Sequence, residues 1–315
     1  MGTFILRRVA QAVIAIILAT FVVYVGLVEL GDPFMNKGEK ILPPETQAAL
    51  RAKFGWDKPF LLRYLIYLKN LASGELGIDY DQRRPVADLL AVTAPNTLRL
   101  ALLAMTVIVL IGLLAGGLAA VFRTPFVDVL FGVTTVLMLC IPLFVIASFL
   151  RLHLAGLHLF GVEIFPRTTP AFMTDVPWYK QILLPAIALG IGDSAFITRL
   201  LRTSMLEVIA SDYVRTARAK GLSRLAVMRK HVLRNALIPV VQYSGIAIGV
   251  LMGGAVIAES IFAYNGVGNL FVGALHTNNN PIIVAVAVYS LITFITLSAI
   301  VDVLTAYLDP RIRLN

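Results

Sequence analysis

Few residues in this sequence have the types and spacings that catalysis or metal binding requires. His153 and His158 are five positions apart in a segment predicted to be a loop, so they do not share a helical face as a metal-binding pair would. The sequence contains no Gly-x-x-x-x-Gly-Lys phosphate loop, no His-Glu-x-x-His motif and no serine or cysteine nucleophile motif. A single cysteine, Cys140, excludes an intrachain disulfide and a multi-cysteine metal site. We therefore expect neither a catalytic residue nor a metal site in this chain.

A different chemistry, the binding of a partner protein, is indicated by the basic segment 205–235. This segment holds seven lysines and arginines against two acids. Residues 213–220 suit a short helix, Gly221 can take the positive φ that often ends a helix, and Ser223 can cap a second helix. Small alanines between the basic side chains would let the first helix enter a groove on a partner. The alternative is a basic loop that only fixes the membrane topology.

These residues belong to a chain of 315 residues that is 58% hydrophobic and 14% charged, with a mean hydropathy of +0.85. A soluble domain is about one quarter charged, so this composition excludes one. Roughly 20 apolar residues cross a bilayer. Six stretches meet or approach that length: 9–30, 97–122, 126–150, 181–204, 236–261 and 282–308. The sequence predicts an all-α, polytopic membrane protein with six transmembrane helices, of which the first stays as an anchor.

The positive charges predict the orientation of these helices. The net charge is +9, but the basic residues lie mainly at the ends of apolar stretches, which indicates membrane topology and not nucleic-acid binding. Cytoplasmic loops are rich in lysine and arginine, so segment 205–235 and both termini are expected in the cytoplasm. The segments expected outside are 31–96, 151–180 and 262–281.

The outer segment 31–96 is too long for a turn. Helix signals predict one short helix from Pro43 to Phe54 and a second from Phe60 to Leu71. We expect a small helical insertion outside the cytoplasm, the alternative being an unstructured linker.

Glycines recur at four-residue spacing in two of the apolar stretches. The fifth stretch has Gly245, Gly249 and Gly253, and the second has Gly112 and Gly116, followed at the same spacing by Ala120. Small residues at this spacing let helices approach closely in lipid. The two interpretations are static helix packing, which we favour, and the lining of a conduit.

Ionisable residues inside apolar stretches are the usual pointers to a transport path. The apolar stretches of this chain contain five such residues: Asp128, Asp193, Arg199, Glu259 and Asp302. We expect them near the ends of the stretches, where they lie at the membrane interface or pair between helices. A secondary transporter should instead show midplane ionisable residues and paired broken helices. That class stays open as an alternative, as does a membrane scaffold that transports nothing.

The sequence Tyr213-Val-Arg-Thr-Ala-Arg-Ala-Lys-Gly-Leu222 resembles the coupling loop of binding-protein-dependent ABC transporter permeases, in the peptide, nickel and opine branch. Further similar features are Leu6-Arg-Arg, Pro95-Asn-Thr-Leu98, Glu259-Ser-Ile-Phe262 with Gly266-Val-Gly268, and Leu308-Asp-Pro-Arg-Ile-Arg313. Together they resemble the B-type permease subunit of a dipeptide or oligopeptide importer. The resemblance implies one transmembrane permease domain, 1–315, with the type I ABC importer permease fold.

The resemblance also implies the partners and the location. They are a second permease subunit, two ATP-binding subunits, an extracytoplasmic peptide-binding protein and the lipid bilayer of a bacterial inner membrane. ATP and Mg would bind the ATPase subunits, and this chain would hold no cofactor. The coupling helix that contacts the ATPases would comprise Arg215, Thr216, Ala217, Arg218, Ala219, Lys220, Gly221 and Leu222. A permease for nickel chelates or opines, in the same branch, is the alternative.

Overall fold

The computed structural model describes residues 2–29, 43–53, 57–79, 82–159, 161–166 and 176–308. These residues are helical apart from loops and a two-residue antiparallel hairpin, His158–Leu159 with Val162–Glu163. The helices are α1 (Gly2–Glu29), α2 (Pro44–Lys53), α3 (Phe60–Ala72), α4 (Val86–Val121), α5 (Pro125–Cys140), α6 (Leu143–Leu154), α7 (Trp178–Ala210), α8 (Asp212–Ala219), α9 (Arg224–Val227), α10 (Arg234–Gly254), α11 (Val256–Ile261), α12 (Val267–His276) and α13 (Asn280–Leu308). A π-helix, Met228–Leu233, joins α9 to α10. The predicted all-α class is confirmed.

Five of the described helical segments are long and apolar enough to cross a membrane. They contain α1, α4, α7, α10 and α13. The predicted third span, 126–150, is not one straight helix, because α5 and α6 meet at an angle of 93°. Pro142 explains the break, since it has no N–H to donate and holds Ile141 in an extended conformation. The bent pair counted as one span gives the predicted six.

Two predicted boundaries need correction. The second span was predicted from residue 97, but α4 begins at Val86 and runs through Pro95, so the last part of the predicted insertion 31–96 is its first three turns. The fifth span was predicted to run to residue 261, but α10 ends at Gly254 and α11 follows after Ala255. Two adjacent glycines end α10, and glycine is a poor helix former.

The two predicted helices of the insertion are present as α2 and α3. Helix α3 packs on α1 through aromatic side chains that come from both helices. The Tyr64 hydroxyl donates to the Ile17 carbonyl at 2.7 Å, and the rings of Tyr24 and Tyr64 lie 5.5 Å apart. The insertion is therefore anchored on the first span.

The most extensive contact between the described spans joins α4 and α7, and glycines bring the two backbones together there. A Cβ added to Gly112 would overlap Ile197, and one added to Gly190 would overlap Val107. At Gly116 a Cβ would come within 2.6 Å of the Thr198 carbonyl oxygen. Lipid offers helices little hydrophobic reason to associate, so this close backbone approach holds the pair together.

We predict opposite effects from alanine at two adjacent glycines of α4. Gly116→Ala should destabilise the protein by about 1–3 kcal/mol, because the new methyl group meets the backbone of α7. Gly117→Ala is the matched control, since its Cβ would meet no atom within 4 Å and alanine favours a helix. Thermal unfolding of the detergent-solubilised variants checks this. Equal melting temperatures would contradict the packing argument.

Candidate functional site

One candidate site is the coupling segment, residues 211–223, between α7 and α9. It contains α8, which ends at Ala219 and is followed by Gly221 with φ +83°. Ser223 then caps α9, its hydroxyl accepting from the Ala226 N–H at 3.3 Å. The predicted pair of short helices, the positive φ at Gly221 and the cap at Ser223 are confirmed. The flanking residues 205–210 and 224–235 of the predicted loop are helical extensions of α7 and α10.

The inner face of α8 is anchored on the helices that follow it. Val214 is fully buried and Ala217 is nearly so, and both belong to the same cluster as Val227 and Val232. Asn235 also donates to the Tyr213 hydroxyl at 2.9 Å. Because α9, the π-helix and α10 follow one another without a break, α8 packs on the start of a continuous helical run that leads into the fifth span.

The outer face of α8 is basic and exposed. Arg215, Thr216 and Ala219 lie on it, and the ion pair of Arg215 with Asp212 is too exposed to contribute much stability. Of the eight predicted coupling residues, Ala217 points inward, and the last three, Lys220, Gly221 and Leu222, follow the helix.

Arginines of the coupling segment, of the end of α4 and of the start of α9 line one cleft. This cleft measures about 620 Å³. Arg123, Arg218 and Arg224 line it. Arg123 donates to the Ala120 carbonyl at 3.2 Å, which satisfies a carbonyl group at the end of α4. Positive charge at a helix C-terminus is favourable, so these arginines also stabilise the junction.

At the other end of the spans a buried carboxylate fixes the closure segment, residues 252–268. Glu259 is completely buried. It accepts from the Thr97 hydroxyl at 2.7 Å and from the N–H groups of Gly268 and Asn269 at 2.7 and 3.2 Å. A Cβ on Gly266 would overlap the Glu259 carboxyl group. The carboxylate thus holds the start of α12 against α4.

A second set of bonds holds the closure segment on α4. The Tyr264 hydroxyl donates to the Asn96 carbonyl at 3.1 Å, and the Asn96 amide donates to the Asn265 carbonyl at 2.8 Å. Burial, followed by the nearby Glu259 carboxyl, raises the pKa of Tyr264 above its ordinary value, so the hydroxyl keeps its proton. The sequence analysis assigned no role to Tyr264, Asn96 or Asn265, although the spacing of Gly266 and Gly268 after Glu259 was a signal for this junction.

The other ionisable residues of the spans have separate partners. Asp128 of α5 pairs with Arg202 of α7 at 2.6 Å, and Asp302 of α13 pairs with Arg8 of α1 at 3.1 Å. These contacts confirm pairing between helices.

Asp193 differs, because it lies 15 residues after Trp178 and 17 before Ala210. It therefore lies in the middle of α7. The prediction that Asp193 lies near the end of its span is wrong.

The glycine row of α10 faces α13 at the two positions whose surroundings are described. A Cβ on Gly245 would overlap Val301, and one on Gly249 would come within 3.2 Å of the Phe294 ring. The surroundings of Gly253 lie outside the described part of the structure. The geometry at Gly245 and Gly249 favours the helix-packing interpretation within this chain.

These features define a class, a multi-span helical membrane protein with an exposed basic helix at one end and a junction around a buried carboxylate at the other. Residues 90–314 match the family of binding-protein-dependent transport system inner membrane components, and residues 1–101 match its N-terminal companion family. The chain belongs to this family. It is a permease component of a transport system and a multi-pass protein of the inner membrane.

Curated relatives extend over nearly the whole chain. It is 32% identical over 316 residues to the dipeptide transport system permease protein of Lactococcus lactis, with 100% of both chains covered. It is 35% identical over 287 residues to the glutathione transport system permease protein of Shigella flexneri, covering 90% of this chain and 89% of that protein.

A solved structure has the same fold. A crystal structure of an amino acid ABC transporter matches with a TM-score of 0.50 and 21% identity, covering 70% of this chain and 94% of that chain. The predicted fold of an ABC transporter permease is confirmed.

A leucine at Gly249 separates packing from conduit. We expect Gly249→Leu to push α10 away from Phe294, so that the purified complex loses thermal stability or a subunit. Thermal stability, ATP turnover and uptake should be measured on the same variant. A stable complex that hydrolyses ATP but no longer transports would refute the packing interpretation.

Proposed function

We propose that this chain is one of two permease subunits of an ATP-driven peptide importer. Separate ATPase subunits would bind the outer face of α8, and an extracytoplasmic binding protein would deliver the peptide. The observation that carries the coupling role is α8 itself, whose buried face is fixed on α9 and α10 while its basic face stays exposed. In the proposal the chain itself is not an enzyme and holds neither ATP nor Mg.

The names of the relatives support a peptide as the substrate. One relative is a dipeptide permease and another a glutathione permease, and glutathione is itself a small peptide. Their alignments cover at least nine tenths of this chain. The shared length supports a shared substrate class, small peptides, without specifying their side chains.

The proposed mechanism uses the two ends of the molecule. Closure of the ATPases on ATP would pull α8, and the unbroken run of α9, π-helix and α10 would carry the movement into the fifth span. The closure segment would then leave α7 and admit peptide. The closure segment is bonded to the start of α4 through Glu259 and Tyr264, which supports a movement of the closure segment and the start of α4 as one body.

Uptake by the reconstituted system tests this function. Proteoliposomes should contain the permease pair, the ATPases and the loaded binding protein, with labelled dipeptide, nickel chelate and opine compared as substrates. We expect ATP-dependent accumulation of the dipeptide. Accumulation of the nickel chelate or the opine alone would contradict the peptide assignment, and uptake without ATP would indicate a secondary transporter.

We predict that the coupling segment lies in the cytoplasm. After replacement of Cys140, single cysteines are introduced at Lys58, before α3, and at Arg224, at the start of α9. A membrane-impermeant thiol reagent should label position 58 in intact cells and position 224 only after permeabilisation. The cysteine-free protein is the control. Labelling of position 224 and not of position 58 in intact cells would reverse the orientation.

Gly221 provides a test of coupling. Gly221→Val should misplace α8 and weaken ATPase binding and uptake, because a β-branched residue is strained at φ +83°. A Cβ there meets no atom within 4 Å, so the effect would come from the backbone alone.

Gly221→Asn is the matched control, since asparagine tolerates this conformation and should keep most of the activity. Co-purification of the ATPases and uptake are measured for both variants at equal expression. Normal uptake by the valine variant would contradict the coupling role.

A further inference from the structure

One face of α7 changes from covered to uncovered near the middle of the helix. Ile182, Ala186 and Leu189 on this face are buried in the same cluster as residues of the closure segment. Asp193, one turn further, is exposed, and a Cβ on the adjacent Gly192 would meet no atom within 4 Å. Asp193 is therefore an exposed side chain one turn beyond the buried residues of this face.

Two aromatic rings accompany this carboxylate. Phe196 of α7 stacks on Tyr243 of α10, with the ring centroids 5.3 Å apart and the planes 2° from parallel. Residues three apart are neighbours on a helix surface, so Asp193 and Phe196 face the same way. Phe196 is 52% exposed, so its ring also borders open space. The result is a carboxylate beside an aromatic pair in which Phe196 is exposed and Tyr243 is partly buried.

Within the described ranges, no lysine or arginine pairs with Asp193. The arginines that follow it on α7 are used elsewhere, since Arg199 donates to Thr135 and Arg202 pairs with Asp128. A carboxylate in the middle of a spanning helix is costly in lipid, and such residues normally face a water-filled cavity or a cation. The carboxylate of Asp193 is therefore free of a basic partner among these residues and is placed to meet water or a cation on an open path.

We propose that Asp193, Phe196 and Tyr243 form a transit site for a primary ammonium group of the peptide, chiefly its amino terminus. This inference rests on the proposed function and names the part of the substrate that the surface binds. A carboxylate bonds an ammonium group directly, and aromatic faces attract cations. Peptides of every sequence share the terminal ammonium, so one such site serves substrates whose side chains differ.

The test compares uptake of two peptides by the complete complex in proteoliposomes. Alanyl-alanine has a free amino terminus, and N-acetyl-alanyl-alanine does not. The permease variants are Asp193→Asn, which removes the charge, Asp193→Glu, which keeps it, and the control Glu45→Gln, which removes an exposed acid on α2. The same binding protein is used throughout, so its own preference cancels in each ratio of variant to wild type.

We expect Asp193→Asn to lower uptake of the free peptide by about tenfold, because the variant loses the charged hydrogen bond to the terminal ammonium group. Uptake of the acetylated peptide, which has no such group, should fall by less than about twofold. Asp193→Glu and Glu45→Gln should retain most uptake. N-acetyl-alanyl-lysine distinguishes the source of the ammonium group, because dependence on Asp193 for this peptide assigns the site to side-chain amines also. If the binding protein delivers only free peptides, the contrast between Asn and Glu decides.

Three results would overturn the inference or its basis. Undiminished uptake of alanyl-alanine by Asp193→Asn contradicts the transit site alone. Equal loss of both peptides, with loss of the second permease from the purified complex, would assign Asp193 to pairing between subunits. A wild-type complex that imports no peptide contradicts the proposed function itself.

Discussion

The arrangement of the spans depends on the close approach of α4 and α7. Gly112, Gly116 and Gly190 remove the side chains that would keep the two backbones apart. Contact between apolar side chains adds little in lipid, so this approach replaces the hydrophobic core of a soluble protein. Both candidate sites take their positions from this pair, because α8 follows the end of α7 and the closure segment is bonded to α4.

The two ends of this pair differ in their chemistry. At the coupling segment, apolar residues hold α8 in place and leave arginines exposed, which suits a surface that binds and releases a partner. At the closure segment, hydrogen bonds satisfy a buried carboxylate from three donors, which suits a fixed junction. A buried carboxylate that loses its donors is costly, so this junction resists separation more strongly than an apolar contact.

Features that depend on local sequence could be predicted, and features that depend on contacts between distant residues could not. The apolar stretches predicted the spans. Gly221 predicted the end of α8 and Ser223 the start of α9, because the signals for helix ends are local. The break at Pro142 has a local signal, but its angle of 93° depends on packing. Glu259 has its donors on α4 and α12, and no periodicity indicates that Thr97 is one of them.

The same distinction applies to Asp193, whose surroundings follow from the arrangement of the closure segment. On this face of α7 Ile182, Ala186 and Leu189 are buried, whereas Asp193 and Phe196 are exposed. A path along this face can open at the covered end only if the closure segment leaves α7. Breaking the bonds of Glu259 would strand a buried carboxylate, whereas the closure segment meets α7 within two apolar clusters, which contain Tyr264 and Phe262. Opening should therefore separate the closure segment from α7 while keeping it on the start of α4.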